Sequence, residues 1–109
     1  MPGHCVAAIA AYPHLSCRGE QIEAAEFFGI KTNILCAGKE STYQFIHEVL
    51  DEVSEMFPGP YVHLGGDEAP KNRWEECPLC REMLKNNQLD KMEQLQGLLI
   101  NKAVGYLKE

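Results

Sequence analysis

Tyr61-Val62-His63-Leu64-Gly65-Gly66-Asp67-Glu68 is the stretch on which the fold reading turns. Its first four residues are a short β-prone run, and the paired glycines break it. Pro58-Gly59-Pro60 stands just upstream and ends the preceding helical pattern, because a proline ring blocks the helical turn before it. A helix, a tight turn and a buried strand make half of a βαβ unit, so the chain reads as α/β. Asp67-Glu68 then falls just past the strand. In α/β folds chemistry collects at such ends, where loops vary while strands hold them rigidly.

The helix ahead of this strand spans residues 42–57. Ser41 and Gln44 have the spacing of a capping box, in which a hydroxyl and an amide satisfy orphan N–H groups reciprocally. Phe45, Val49, Val53 and Phe57 recur at four-residue steps, widened by Ile46, Leu50 and Met56. Glu48, Asp51, Glu52 and Glu55 fill an acidic, solvated face that also carries His47. Downstream, a small helix is expected over Cys77 to Asn86. Asp90 and Glu93 then start a helix over 91–108, with Met92, Leu95, Leu99, Ala103 and Tyr106 on one side. Upstream, His4 to Tyr12 is Ala-rich and helical in character until Pro13 stops it. Residues 14–40 lack a clean period and read as an ordered loop. Within it, Glu20 to Phe28 suits a helical turn or two and Thr32 to Cys36 a short extended piece.

Composition bounds the function. The chain has 109 residues, 45% hydrophobic and 24% charged, which is ordinary globular composition for one domain. A closed eight-stranded α/β barrel needs roughly 200 residues or more. The net charge of −6, with no dense run of Lys or Arg, lacks the electrostatic footprint of a nucleic-acid binder. The longest apolar run, Cys5 to Tyr12, is far short of the ~18 residues that cross a membrane. It also makes a poor signal peptide, since no basic residue precedes it, and the compartment stays open. Five cysteines cannot all pair internally. Cys77-Pro78-Leu79-Cys80 has zinc-ligand spacing, but a structural site wants a second such pair and Cys17 and Cys36 lie 19 apart. No metal is therefore assigned, and a local disulfide or two free thiols is expected there.

Asp67 and Glu68 are the candidate chemistry. Glycines ahead of them admit close approach of backbone or ligand. Neighbouring side chains point differently, and two close like charges push their pKa values apart, which favours one acid and one base-like partner. The plainer alternative is a surface Asp-Glu pair or a cap on the next helix.

His63-Leu64-Gly65-Gly66-Asp67-Glu68 resembles the His-x-Gly-Gly-Asp-Glu signature of family 20 glycoside hydrolases, the β-N-acetylhexosaminidases. The likeness continues through Ala69-Pro70-Lys71-Asn72-Arg73-Trp74. Met1-Pro2-Gly3-His4, followed by Ala10-Ala11-Tyr12-Pro13, resembles that family's upstream Met-Pro-Gly-His segment. Cys36-Ala37-Gly38-Lys39-Glu40 resembles the stretch between, although Lys39 stands where many members carry Asn.

The resemblance implies a partial (β/α)8 TIM-barrel fragment of about two βα units, helix-rich, with residues 1–109 forming part of the catalytic domain. Met1 to His4 would end strand 3, residues 42–57 form the third helix, Tyr61 to Gly66 strand 4, and residues 91–108 the fourth helix. Met1 would then be an internal methionine. Glu68 would be the general acid, and Asp67 would orient the substrate's 2-acetamido group, which supplies its own nucleophile. His4 matches the family histidine that supports the acid carboxylate. His63 shares strand parity with Asp67, so it either points into the barrel or is a core histidine bonded to its neighbours. Trp74 either forms part of a sugar-stacking wall or packs under the loop. The implied partners are N-acetylhexosamine-containing glycans, with no cofactor and no membrane. Full-length relatives are typically secreted, periplasmic or lysosomal. Two rival readings stand beside this one: a non-catalytic remnant that self-associates through its exposed apolar faces, and a zinc-binding interaction module built on Cys77 and Cys80.

Overall fold

Trp74 sits at the centre of the core, wholly buried, and its indole N–H donates to the Leu35 carbonyl at 3.0 Å. The computed structural model describes residues 1–108. Its elements are α1 (Val6–Ala11), a 3-10 turn (Pro13–Leu15), α2 (Glu40–Met56), α3 (Asn72–Glu76), α4 (Pro78–Asn86) and α5 (Met92–Leu107). Pro13 converts the end of α1 into the 3-10 turn, as its ring requires. The short helix α3 has no counterpart in the sequence reading.

The longest pair of helices, α2 and α5, pack on each other. Helix α2 buries Tyr43, Ile46 and Leu50, and α5 buries Leu95, Leu99 and Ala103. The apolar stripe expected on α2 is thus displaced around the helix. Phe45, Val49 and Val53 are half-buried, while Met56 and Phe57 are 64% and 68% exposed. The cause is the position of α5, which covers the Tyr43 side; Phe45 instead faces Tyr12, with ring centroids 6.3 Å apart. His47 is not simply solvated either, since its ring stacks on Tyr106 at 4.0 Å and 5°. The Tyr106 hydroxyl donates to Asp51 Oδ1 at 2.6 Å, which ties the acidic face of α2 to α5.

Both helix starts differ from expectation by a residue or two. Helix α2 begins at Glu40 with Lys39 as its cap, so Ser41 lies inside the helix and no capping box forms with Gln44. An acidic Glu40 in the first turn complements the helix dipole instead. At α5 the capping side chain is Gln94, whose Oε1 accepts from the Asp90 and Lys91 N–H groups at 2.8 and 3.0 Å. Asp90 with Glu93 is not the box.

The expected strand over Tyr61–Gly66 is not formed, and the described residues are helix-rich without a regular strand. A strand exists only by pairing, and each pairing here is a single hydrogen bond. The Met1 nitrogen donates to the Leu64 carbonyl at 2.7 Å, and Leu35 N–H donates to the Pro2 carbonyl at 3.2 Å. An isolated antiparallel bridge joins Ser16 and Leu35, where Cys36 N–H donates to the Leu15 carbonyl at 2.8 Å. Glu20 to Phe28 forms no helix. Phe27 and Phe28 are 82% and 106% exposed, so an amphipathic turn there would have nothing to bury against.

Replacing Trp74 by Phe removes the donor to a buried carbonyl while keeping most of the ring volume. The expected cost is about 1–3 kcal/mol, read as a lower urea midpoint with an unchanged slope; an unaltered midpoint would show that the Leu35 carbonyl does not depend on it.

Candidate active site

Gly3 is where two distant segments meet. A Cβ on it would lie 2.9 Å from the carbonyl oxygens of both Asp67 and Glu68, so only glycine lets the start of the chain press against this loop. Gly65, at φ +73°, is equally constrained, because a Cβ there would lie 2.8 Å from the Met1 nitrogen. Gln96 of α5 holds the loop from the other side, donating through Nε2 to the Gly66 carbonyl at 2.6 Å. Ala69 is buried and anchors the end of the loop in the core.

These constraints gather three of the expected residues. His4 Nε2 lies 3.5 Å from Asp67 Oδ2 and 3.3 Å from Glu68 Oε1. His4 and Glu68 both adopt left-handed backbone conformations, at φ +56° and +47°, although neither is glycine. Such strain costs on the order of 1–2 kcal/mol per residue and persists where the surroundings enforce it, commonly at functional sites. One imidazole nitrogen carries at most one proton, so His4 serves one carboxylate at a time. The side chains of His4, Asp67 and Glu68 are 47%, 70% and 49% exposed, so all three stand open to solvent. Two carboxylates and an imidazole in an open cleft can donate a proton, oppose a developing positive charge, and orient one another.

His63 and Trp74 lie apart from this trio. His63 is exposed rather than a core histidine, and its Nδ1 accepts from the Gly65 N–H at 2.9 Å, which shapes the turn ahead of Asp67. Trp74 has no face open to a sugar, because it is buried beneath the loop and hydrogen-bonded to Leu35.

Two features escaped the sequence reading. Phe27, Phe28 and Ile30 line a groove that His4 and Glu68 also line, so the irregular loop forms one wall beside the carboxylates. The only sequence signal was an aromatic pair ahead of Gly29, whose φ is +131°. The second feature is a group of four cysteines: Cys17, Cys36, Cys77 and Cys80 have sulfurs all within 4.8 Å of one another, and none is in a disulfide. The separation of Cys17 and Cys36 along the chain concealed this, because the Ser16–Leu35 bridge makes them neighbours in space. Hydrogen bonds from the Cys17 and Cys80 thiols hold the Cys36 thiol well below the usual thiol range, and the contact with Cys36 pushes Cys17 up.

Comparison with known proteins gives the relatives of this chain. Residues 1–109 match the family model described as glycosyl hydrolase family 20, catalytic domain. A beta-hexosaminidase of Porphyromonas gingivalis is 43% identical over 109 residues, covering 100% of this chain and 14% of that protein. One from Akkermansia muciniphila is 37% identical over 105 residues, 94% of this chain and 21% of that protein. The crystal structure of a beta-N-acetylhexosaminidase from Bacteroides fragilis superposes with a TM-score of 0.87 at 44% identity, over 99% of this chain and 20% of that one. A second beta-N-acetylhexosaminidase structure gives a TM-score of 0.93 at 34% identity, covering 99% of this chain and 23% of that one. The chain thus spans between 14% and 23% of the length of these relatives.

The close approach at Gly3 is open to direct test. Gly3→Ala should lower stability by about 1–3 kcal/mol, seen as a melting temperature several degrees lower, and should weaken nuclear Overhauser contacts between His4 and Glu68. An unchanged melting temperature with those contacts intact would show that the loop has room the structure denies it.

Proposed function

The chain belongs to glycosyl hydrolase family 20, and on that premise we propose that it carries the carboxylate pair of a β-N-acetylhexosaminidase acting by substrate-assisted, retaining catalysis. Residues 1–109 would contribute about two βα units to the barrel of the catalytic domain. The observation that carries this reading is the approach of His4 to both Asp67 and Glu68, at 3.5 and 3.3 Å, from a segment more than 60 residues away in the chain.

In the proposed reaction the carbonyl oxygen of the substrate's 2-acetamido group attacks the anomeric carbon as the glycosidic bond breaks. Glu68 gives its proton to the departing oxygen. Asp67 holds the acetamido N–H and opposes the positive charge of the bicyclic oxazolinium-like intermediate. Water then adds to the anomeric carbon and yields its proton to the Glu68 carboxylate. Two inversions leave the configuration retained, with no carboxylate bonded to sugar. His4 is a positioning residue that orients Glu68. The substrates are glycans ending in β-linked N-acetylglucosamine or N-acetylgalactosamine. Phe27, Phe28 and Ile30 offer an apolar wall next to Glu68.

A second reading is favoured by how open the site is. Asp67 is 70% exposed, and Phe28 and Tyr61 are 106% and 93% exposed. Under that reading the 109-residue chain is inactive by itself and self-associates through these faces. Sedimentation across a concentration series, beside hydrolysis of an aryl N-acetylglucosaminide by this chain and by any longer protein containing it, separates the two.

In whichever polypeptide hydrolyses the substrate, Glu68→Gln should cut turnover of unactivated glycosides by roughly 10²–10⁴-fold and spare activated aryl glycosides more. Asp67→Asn should slow both classes, since it acts on the nucleophilic step. Equal losses from Glu68→Gln on both classes would remove the acid role.

A further inference from the structure

Cys17, Cys36, Cys77 and Cys80 play no part in the proposed reaction, yet their sulfurs converge. The Sγ–Sγ distances are 3.7 Å for Cys17–Cys80, 3.8 Å for Cys36–Cys77 and 3.6 Å for Cys36–Cys80. A tetrahedral zinc ion with Zn–S bonds of ~2.3 Å has sulfur–sulfur edges of roughly 3.8 Å. A disulfide would require about 2.0 Å and would single out one mate for each sulfur. Here Cys36 stands nearly equidistant from Cys77 and Cys80, and Cys80 from Cys17 and Cys36. The pattern is that of a common centre.

The backbone is built for this convergence. The Ser16–Leu35 bridge sets Cys17 beside Cys36. Cys77 caps α4 and Cys80 lies in its first turn, closed by Arg81 N–H donating to the Cys77 carbonyl at 3.0 Å. Gly38 lets the two pairs meet, because a Cβ there would fall 2.3 Å from the Leu79 carbonyl carbon and 2.6 Å from the Cys80 nitrogen. Cys36, Cys77 and Cys80 are buried and Cys17 half-buried, which leaves no open coordination position for a substrate. Four thiolates around a divalent cation carry a net charge of −2. Lys39 answers it from next door to Cys17, with Nζ on the Ser16 carbonyl at 2.7 Å and the His14 carbonyl at 3.0 Å.

We propose that Cys17, Cys36, Cys77 and Cys80 form a structural tetrathiolate site for a soft divalent cation, with zinc the preferred occupant. On binding, every cysteine of the four that is still protonated releases its proton to solvent, four S–Zn bonds form, and no electron is transferred. The ion fastens both ends of the Cys17–Cys36 loop to the start of α4. That loop carries Phe27, Phe28 and Ile30, so the site braces the groove wall beside His4 and Glu68 without touching substrate.

The chain purified under reducing conditions should contain about one zinc per polypeptide by elemental analysis. Cobalt(II) added to the metal-free chain should give sulfur-to-cobalt charge-transfer bands and tetrahedral d–d bands, bleached by one equivalent of zinc. Cys17→Ser and Cys36→Ser should each lose those bands, whereas Cys5→Ser, outside the cluster, should keep them. If the serine variants fail to fold, the spectra of the unaltered chain and of Cys5→Ser still decide. A reduced chain, folded by circular dichroism, that takes up neither zinc nor cobalt overturns the site. Disulfides among the four cysteines, found after thiols are trapped by alkylation at lysis, overturn it equally.

Discussion

The Leu35 peptide holds three segments at once. Its N–H donates to the Pro2 carbonyl at 3.2 Å, and its carbonyl accepts from the Trp74 indole at 3.0 Å. Its backbone also bridges to Ser16. Unpaired backbone groups at the centre of a core cost free energy comparable to a lost hydrogen bond, so each partner is effectively obligatory. Through Pro2 the peptide sets the segment that carries His4; through Ser16 it aligns Cys17 with Cys36; through Trp74 it positions the loop after Glu68. The carboxylate site and the sulfur cluster therefore share one mechanical origin.

The helices were readable because their signals are local. Pro13 and Pro58-Gly59-Pro60 stop α1 and α2 through a clash within the same few residues, and apolar spacing marks α5. Caps were less secure. Ser41 competes with Glu40 for the start of α2, and Gln94, not Glu93, reaches back to the backbone at α5. What the sequence could not display was anything defined by a partner far along the chain. Tyr61–Gly66 has the residues of a strand but a single backbone hydrogen bond to Met1. Cys17 and Cys36 carry no short spacing, and only the bridge reveals them as a pair. The carboxylates were legible for a different reason: Gly65-Gly66-Asp67-Glu68 is a contiguous string, and His4 entered through its likeness to a family motif.

The site combines a rigid frame with an open surround. Two residues in left-handed conformations, a glycine in van der Waals contact with two carbonyls, and a hydrogen bond from α5 fix where the carboxylates sit. Little covers them, since Glu68 is about half exposed and the nearest apolar neighbours belong to an irregular loop. Placement of the carboxylates is thus internal to these residues, while the apolar wall beside Glu68 belongs to the loop between Cys17 and Cys36.

The hydrogen bond from Gln96 to the Gly66 carbonyl indexes the carboxylate loop to the rotation of α5. A helix turns about 100° per residue. A single insertion or deletion between Gln96 and Leu99 would swing that amide away from the loop if Leu99 and Ala103 kept their buried places. The long helix that looks like plain scaffold is therefore a length standard for the site, less tolerant of altered spacing than of altered surface residues.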